Sequence, residues 1–132
     1  MKVLDSDHCI ALLRGYLDLE RQVSPTEQLA VTAISVGELA HGVHKSSRVA
    51  ENLARLDVLL AAVTILSYGE AAARRFGLLK AQLEQGGIGL SDLDLQIASI
   101  ALEHDAPLVT HNWRHFERVP SLILEDWLKD NS

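Results

Sequence analysis

The chain has 132 residues, of which 48% are hydrophobic and 5% aromatic, and its formal net charge is −6. This length gives one domain with a substantial core, the apolar share excludes general disorder, and the acidic balance excludes nonspecific coating of DNA or anionic membranes. Cys9 stands alone, so no internal disulfide can form. There is no basic stretch leading into a long apolar run at the N-terminus, and no uncharged run of membrane-spanning length, so the expected setting is cytoplasmic with no membrane partner.

Val3-Leu4 is a short apolar run and reads as the first strand. Asp7 reads as the cap of a helix that carries Ile10, Leu12 and Leu13 and stops near Gly15. Residues 16–21 add a helical turn, and Ser24-Pro25-Thr26 is a loop. Leu29 to Ile34, with β-branched Val31, Thr32 and Ile34, is the second strand. Ser35 precedes Glu38 by the capping-box spacing, so a helix with Val36, Leu39, Ala40 and Val43 should follow. Ser46-Ser47 marks a break, and one of these serines caps a helix with Val49, Leu53, Leu56, Leu59 and Leu60 at helical spacing. Val63 to Leu66 is the third strand. Gly69 to Gln85 is again helical, with Ala72, Phe76, Leu79 and Leu83 on one face. After the turn-rich Gly86 to Gly89, Ser91 or Asp92 caps a helix containing Leu95, Ile97, Ala98, Ala101 and Leu102. Pro107 to Thr110 is the fourth strand, His111 to Phe116 a loop or short helix, and Leu122 to Leu124 the last strand before a tail with Trp127. The alternation predicts an α/β sandwich with a mainly parallel sheet, in one domain over 1–132.

In such a sheet the strands end along one edge and the following helices begin there. Asp5 ends the first strand, Glu38 and Asp94 lie in first helical turns, and Asn112 follows the fourth strand. Converging carboxylates repel one another, and a hard divalent cation relieves that repulsion. Each residue also has a local role available: Asp5 as a surface acid, Glu38 in its capping box, Asp94 on the helix dipole, Asp7 and Asp92 as caps, and Asn112 in a turn. His41 with His44 and His111 with His115 have helical spacing but match no zinc pattern. Cys9 reads as a small core residue.

Four blocks carry a family resemblance: Leu4-Asp5-Ser6-Asp7, Thr32-Ala33-Ile34-Ser35-Val36-Gly37-Glu38-Leu39, Asp94-Leu95-Gln96-Ile97-Ala98 and Leu108-Val109-Thr110-His111-Asn112, the last continued by Arg114 to Pro120. In this order and length, they resemble a PIN-domain ribonuclease of the VapC type, the toxin of bacterial toxin–antitoxin pairs. The resemblance implies a PIN-like three-layer α/β/α sandwich and an endoribonuclease dependent on Mg²⁺ or Mn²⁺. It also implies a homodimer restrained by a VapB-like antitoxin. Asp5, Glu38 and Asp94 match the family's acidic metal ligands. Many PIN domains carry a fourth acid where this chain has Asn112 and His115, which leaves Asp7, Asp92 or Asn112 as auxiliary groups. RNA attraction would fall to Arg14, Lys45, Arg48, Arg114 and Arg118. Two rivals stand beside this. Asp5-Ser6-Asp7 also fits the Asp-x-Asp pair of a haloacid-dehalogenase-like phosphatase, although Cys9 replaces the Thr or Val expected there. A catalytically silent PIN-like binding module would keep the fold without the reaction.

Overall fold

The computed structural model describes residues 1–128; the end of the expected 1–132 domain lies outside them. Five strands form one sheet in the order β3-β2-β1-β4-β5, and every pairing is parallel. The strands are β1 (Lys2–Leu4), β2 (Leu29–Thr32), β3 (Thr64–Leu66), β4 (Leu108–Val109) and β5 (Leu124–Glu125). The helices are α1 (Ser6–Leu13), α2 (Ala33–His44), α3 (Val49–Ala61), α4 (Glu70–Gln85), α5 (Asp92–Glu103) and α6 (Trp113–Phe116), with a 3₁₀ turn at Leu19–Arg21. No helix among the described residues is long and apolar enough to cross a membrane.

The central strands are apolar on both faces because helices cover both faces. Val3 pairs with Ala30 and Leu108, and these three point into one core with Leu79 and Leu83 of α4 and Ile97 and Ile100 of α5. Leu4 and Val109 pair in the same register, and together with Val31 they point into the other core with Leu39 and Leu56. The period-two alternation of these short runs thus builds three layers: α1, α2 and α3, then the sheet, then α4, α5 and α6. Phe116, fully buried, anchors the short α6 on the core of Val3, Leu79 and Ile97.

The expected elements all form, but several boundaries and caps differ. β2 ends at Thr32 rather than Ile34, because the Thr32 side chain caps α2: its Oγ1 accepts the Ser35 N–H at 3.1 Å. Ser35 is therefore inside the first turn of α2, and the Ser35–Glu38 capping box does not form. At α1 the cap is Asp5, whose Oδ1 accepts the Ser6 N–H at 2.9 Å, and not Asp7. Neither Ser46 nor Ser47 caps α3, where Arg48 holds the cap position with no side-chain bond. Ser46 instead donates from Oγ to the Val43 carbonyl and accepts from Asn52 Nδ2, closing the end of α2. Ser91, rather than Asp92, caps α5. β5 begins at Leu124, beyond the expected Leu122 start. α1 gives way to Gly15 at φ +74°, a left-handed conformation that favours glycine.

Thr32→Ala should lower stability by about 1 kcal/mol through loss of the cap, read as a lower denaturant midpoint with unchanged slope. Glu38→Ala, which removes no cap, should not.

Candidate functional site

The strand order reverses between β1 and β4, so the chain leaves these neighbouring strands in opposite directions along the sheet and opens a crevice at their C-terminal ends. Asp5 leaves β1 at this crevice and Thr110 leaves β4. The Thr110 hydroxyl donates to Asp5 Oδ2 at 2.8 Å, while Asp5 Oδ1 takes the Ser6 N–H. Both carboxylate oxygens are thus oriented, and the residue is only 4% exposed. Burial pushes the Asp5 carboxyl above its ordinary range, with the charges of Asp7 and Asp94 adding to the rise against the Thr110 and Ser6 hydrogen bonds.

Glu38 lies in the second turn of α2, freed from any capping role. Loss of surrounding water raises its pKa, and the charges of Asp5 and Asp94 raise it further. Asp94 is the third residue of α5. Its N–H donates to Ser91 Oγ at 3.1 Å, and its Oδ2 is 3.2 Å from Nδ1 of His115 on α6. Asp5, Glu38 and Asp94 therefore share one electrostatic neighbourhood. Among the described residues none of them pairs with Lys or Arg; the ion pairs run elsewhere, as in Lys2–Glu125, Arg75–Glu103 and Lys80–Asp92.

Of the other predicted site residues, Asp7 is drawn in and Asp92 is not. Asp7 Oδ1 is 2.7 Å from His8 Nδ1, and Oδ2 accepts the His111 N–H at 2.9 Å. Burial raises the Asp7 pKa, but the hydrogen bonds of His8 and His111 outweigh it and the carboxyl sits below its ordinary range. Asp92 faces Lys80 at 2.8 Å with its side chain 58% exposed. Asn112 holds the cap position of α6 without a side-chain bond, and its N–H donates to Thr110 Oγ1. Arg114 and Arg118 are exposed on and just after α6. Arg14 and Lys45 cap the far ends of α1 and α2, about 14 Å from Asp5 and about 10 Å from Glu38 along those helices, and Arg48 follows with Glu51 at 3.4 Å. Cys9 is fully buried, and burial pushes its thiol up to about 12, so it stays neutral in the core.

Sequence reasoning missed Thr110, which orients Asp5 from 105 residues away, and the partners of Asp7. The one local signal was a hydroxyl residue closing the β4 run. Among the described residues, no three His, Cys, Asp or Glu side chains are grouped tightly enough to hold an ion as they stand. The donor chemistry nonetheless suits a hard cation: carboxylate oxygens, mutually repelling and, among the described residues, without a Lys or Arg partner.

The PIN domain family model matches residues 2–122. The chain belongs to the PIN-domain family. Ribonuclease VapC2 of Rickettsia felis is 33% identical to this PIN domain over 131 residues, covering 96% of the chain and 98% of the relative. The tRNA(fMet)-specific endonuclease VapC of Salmonella typhimurium is 31% identical, covering 95% and 96%. The structure of VapBC2 from Rickettsia felis bound to a promoter DNA fragment superposes with a TM-score of 0.88 at 32% identity, covering 96% of this chain and 98% of that one. These likenesses put the PIN domain in the VapC group and do not favour the phosphatase alternative. In this PIN domain the Asp-x-Asp spacing has another origin: Asp5 caps α1, and Asp7 receives the turn after β4.

A carboxyl whose pKa is raised by folding disfavours its charged form in the fold. Asp5 ionisation therefore opposes stability above its ordinary pKa of 3.8, and the penalty disappears as pH falls and the folded state holds the proton. Asp5→Asn keeps a good cap without the charge. It should be more stable than the wild type by about 1 kcal/mol at neutral pH, with the gap closing toward pH 4 in thermal melts across that range.

Proposed function

We propose that this PIN domain is a VapC-type toxin, an endoribonuclease that hydrolyses RNA phosphodiester bonds with Mg²⁺ or Mn²⁺ held by Asp5, Glu38 and Asp94. The carrying observation is an acidic neighbourhood at the β1/β4 crevice with no Lys or Arg partner for any of the three acids among the described residues, in a family whose similar members are named ribonucleases. A bound divalent cation supplies charge neutralisation at the scissile phosphate and an activated water, so no covalent nucleophile is needed. The chain's own residues do the rest. Thr110 and the Ser6 N–H fix the rotamer of Asp5. Glu38 and Asp94 bring the facing carboxylates from α2 and α5. Asp7 holds the turn that leads into α6 through the His111 N–H. Arg114 and Arg118, exposed around α6, draw in the phosphate backbone. Arg14, Lys45 and Arg48 would meet only a longer RNA that runs along α1 and α2.

A groove of about 320 Å³ between α1, α2 and α3 is lined by Ile10, Leu13, Leu39 and Val43, with Arg14 and Arg55 also lining it. It suits the apolar face of an amphipathic segment with acidic flanks, and a VapB-like antitoxin is the partner we assign to it. The exposed Leu78 on α4 and Leu93 on α5 support a homodimer contact on the opposite layer. The whole of 1–132 would then act as one catalytic domain, and a cytoplasmic setting follows from its RNA substrate.

Mn²⁺ should raise the melting temperature of the wild type and leave that of Asp5→Asn unchanged. RNA cleavage by Asp5→Asn should fall by about 100-fold or more, the several kcal/mol that metal stabilisation supplies. A wild type that cuts no RNA at any Mn²⁺ or Mg²⁺ level would return the silent binding module.

Arg114→Ala should weaken RNA binding at unchanged melting temperature and reduce the salt slope of the affinity by about 1, measured by titrating labelled RNA at several salt concentrations.

A further inference from the structure

His8 is fully buried beside the acidic site, and the nuclease reading does not use it. Its Nδ1 lies 2.7 Å from Asp7 Oδ1, and its Nε2 lies 3.0 Å from the backbone nitrogen of Trp127. An amide N–H only donates, so Nε2 presents its lone pair and Nδ1 carries the proton. Asp126 Oδ1, at 3.6 Å from Nε2, is beyond hydrogen-bond distance and accepts the Leu128 N–H instead. The imidazole is therefore a one-way link, accepting from the C-terminal segment and donating to Asp7.

That segment is itself fastened to the sheet. Lys2 Nζ lies 2.8 Å from both Glu125 oxygens and 5.9 Å from the centre of the Trp127 ring. The Trp127 indole N–H donates to Glu125 at 3.2 Å, and Asp126 Oδ2 lies 2.9 Å from His111 Nδ1. On the other side, the second oxygen of Asp7 takes the His111 N–H, and the preceding residue, Thr110, donates to Asp5. A buried space that needed only filling would take an apolar side chain. A buried imidazole with both nitrogens engaged fixes direction as well as volume.

We propose that His8 is a positioning residue of the acidic site. It holds Asp7 against the His111 amide, which sets the turn after β4 and, through Thr110, the orientation of Asp5. The catalytic part of the inference rests on the nuclease reading; the hydrogen-bond part does not.

Two substitutions separate this role from packing. Asn places an amide near the Nδ1 position, so His8→Asn keeps a donor for Asp7 and gives up the Trp127 contact. Gln reaches the Nε2 position, so His8→Gln keeps an acceptor for Trp127 and gives up Asp7. Both should lower the melting temperature to a similar degree. With a fluorophore-and-quencher RNA oligonucleotide and Mn²⁺, His8→Gln should lose about tenfold in kcat at unchanged KM, while His8→Asn stays within about twofold of wild type. Equal losses that track melting temperature, or no loss in either, would overturn the proposal. Amide exchange at His111 reads the same contrast without catalysis: faster in His8→Gln and preserved in His8→Asn, with equal rates counting against it. A wild type that does not cut RNA sinks the nuclease reading alone, and the exchange contrast then decides this one. Long-range proton–nitrogen NMR of the wild type should find His8 neutral with its proton on Nδ1, and the other tautomer would refute the link whether or not the variants fold.

Discussion

The bond between the Thr110 hydroxyl and Asp5 Oδ2 is the interaction on which the site depends. It spans the crevice between β1 and β4, where the sheet's strand order reverses. A carboxylate this deeply buried is destabilised by lost solvation and by its acidic neighbours. Two hydrogen bonds offset part of that penalty and leave Asp5 unable to turn away. The residual repulsion among Asp5, Glu38 and Asp94 is stored in the fold, a stability sacrificed where the proposed chemistry needs it.

The scaffold makes that placement cheap. Parallel strands carry consecutive apolar residues to opposite faces, so Val3 and Leu4 each enter a separate core. Two full layers of helices then seal the sheet, and the polar ends of β1, β2 and β4 are left at one edge. α2 begins directly after β2, with Thr32 serving both as the last strand residue and as the helix cap. This tight joint brings Glu38 toward the crevice without a loop.

Periodicity and β-branched runs made the order of strands and helices legible, since each depends on neighbours a few residues apart. The nearness of the three acids was legible in part: strand ends and the helices after them place Asp5 and Glu38 at one edge, while Asp94 lies on a helix that follows another helix and reaches their neighbourhood through packing. The caps were misread where two capable side chains stand close together. Thr32 and Ser35 both accept hydrogen bonds, as do Asp5 and Asp7, and backbone dihedrals choose between them: Thr32 and Asp5 are extended while their rivals are helical. The partners of the acids were hidden for a different reason. His111 reaches Asp7 across 104 residues and Trp127 reaches His8 across 119, and no local pattern encodes such pairings.

Those separations bear on when the site comes into being. Asp5, Asp7 and His8 are separated by more than 100 residues from Thr110, His111 and Trp127, the groups that orient them. Contacts of such long range form only after the intervening chain has collapsed. The orientation of the acids therefore depends on β4 and on the segment at Trp127 being in place, so disturbing either would leave Asp5 in the sequence and cost it its setting.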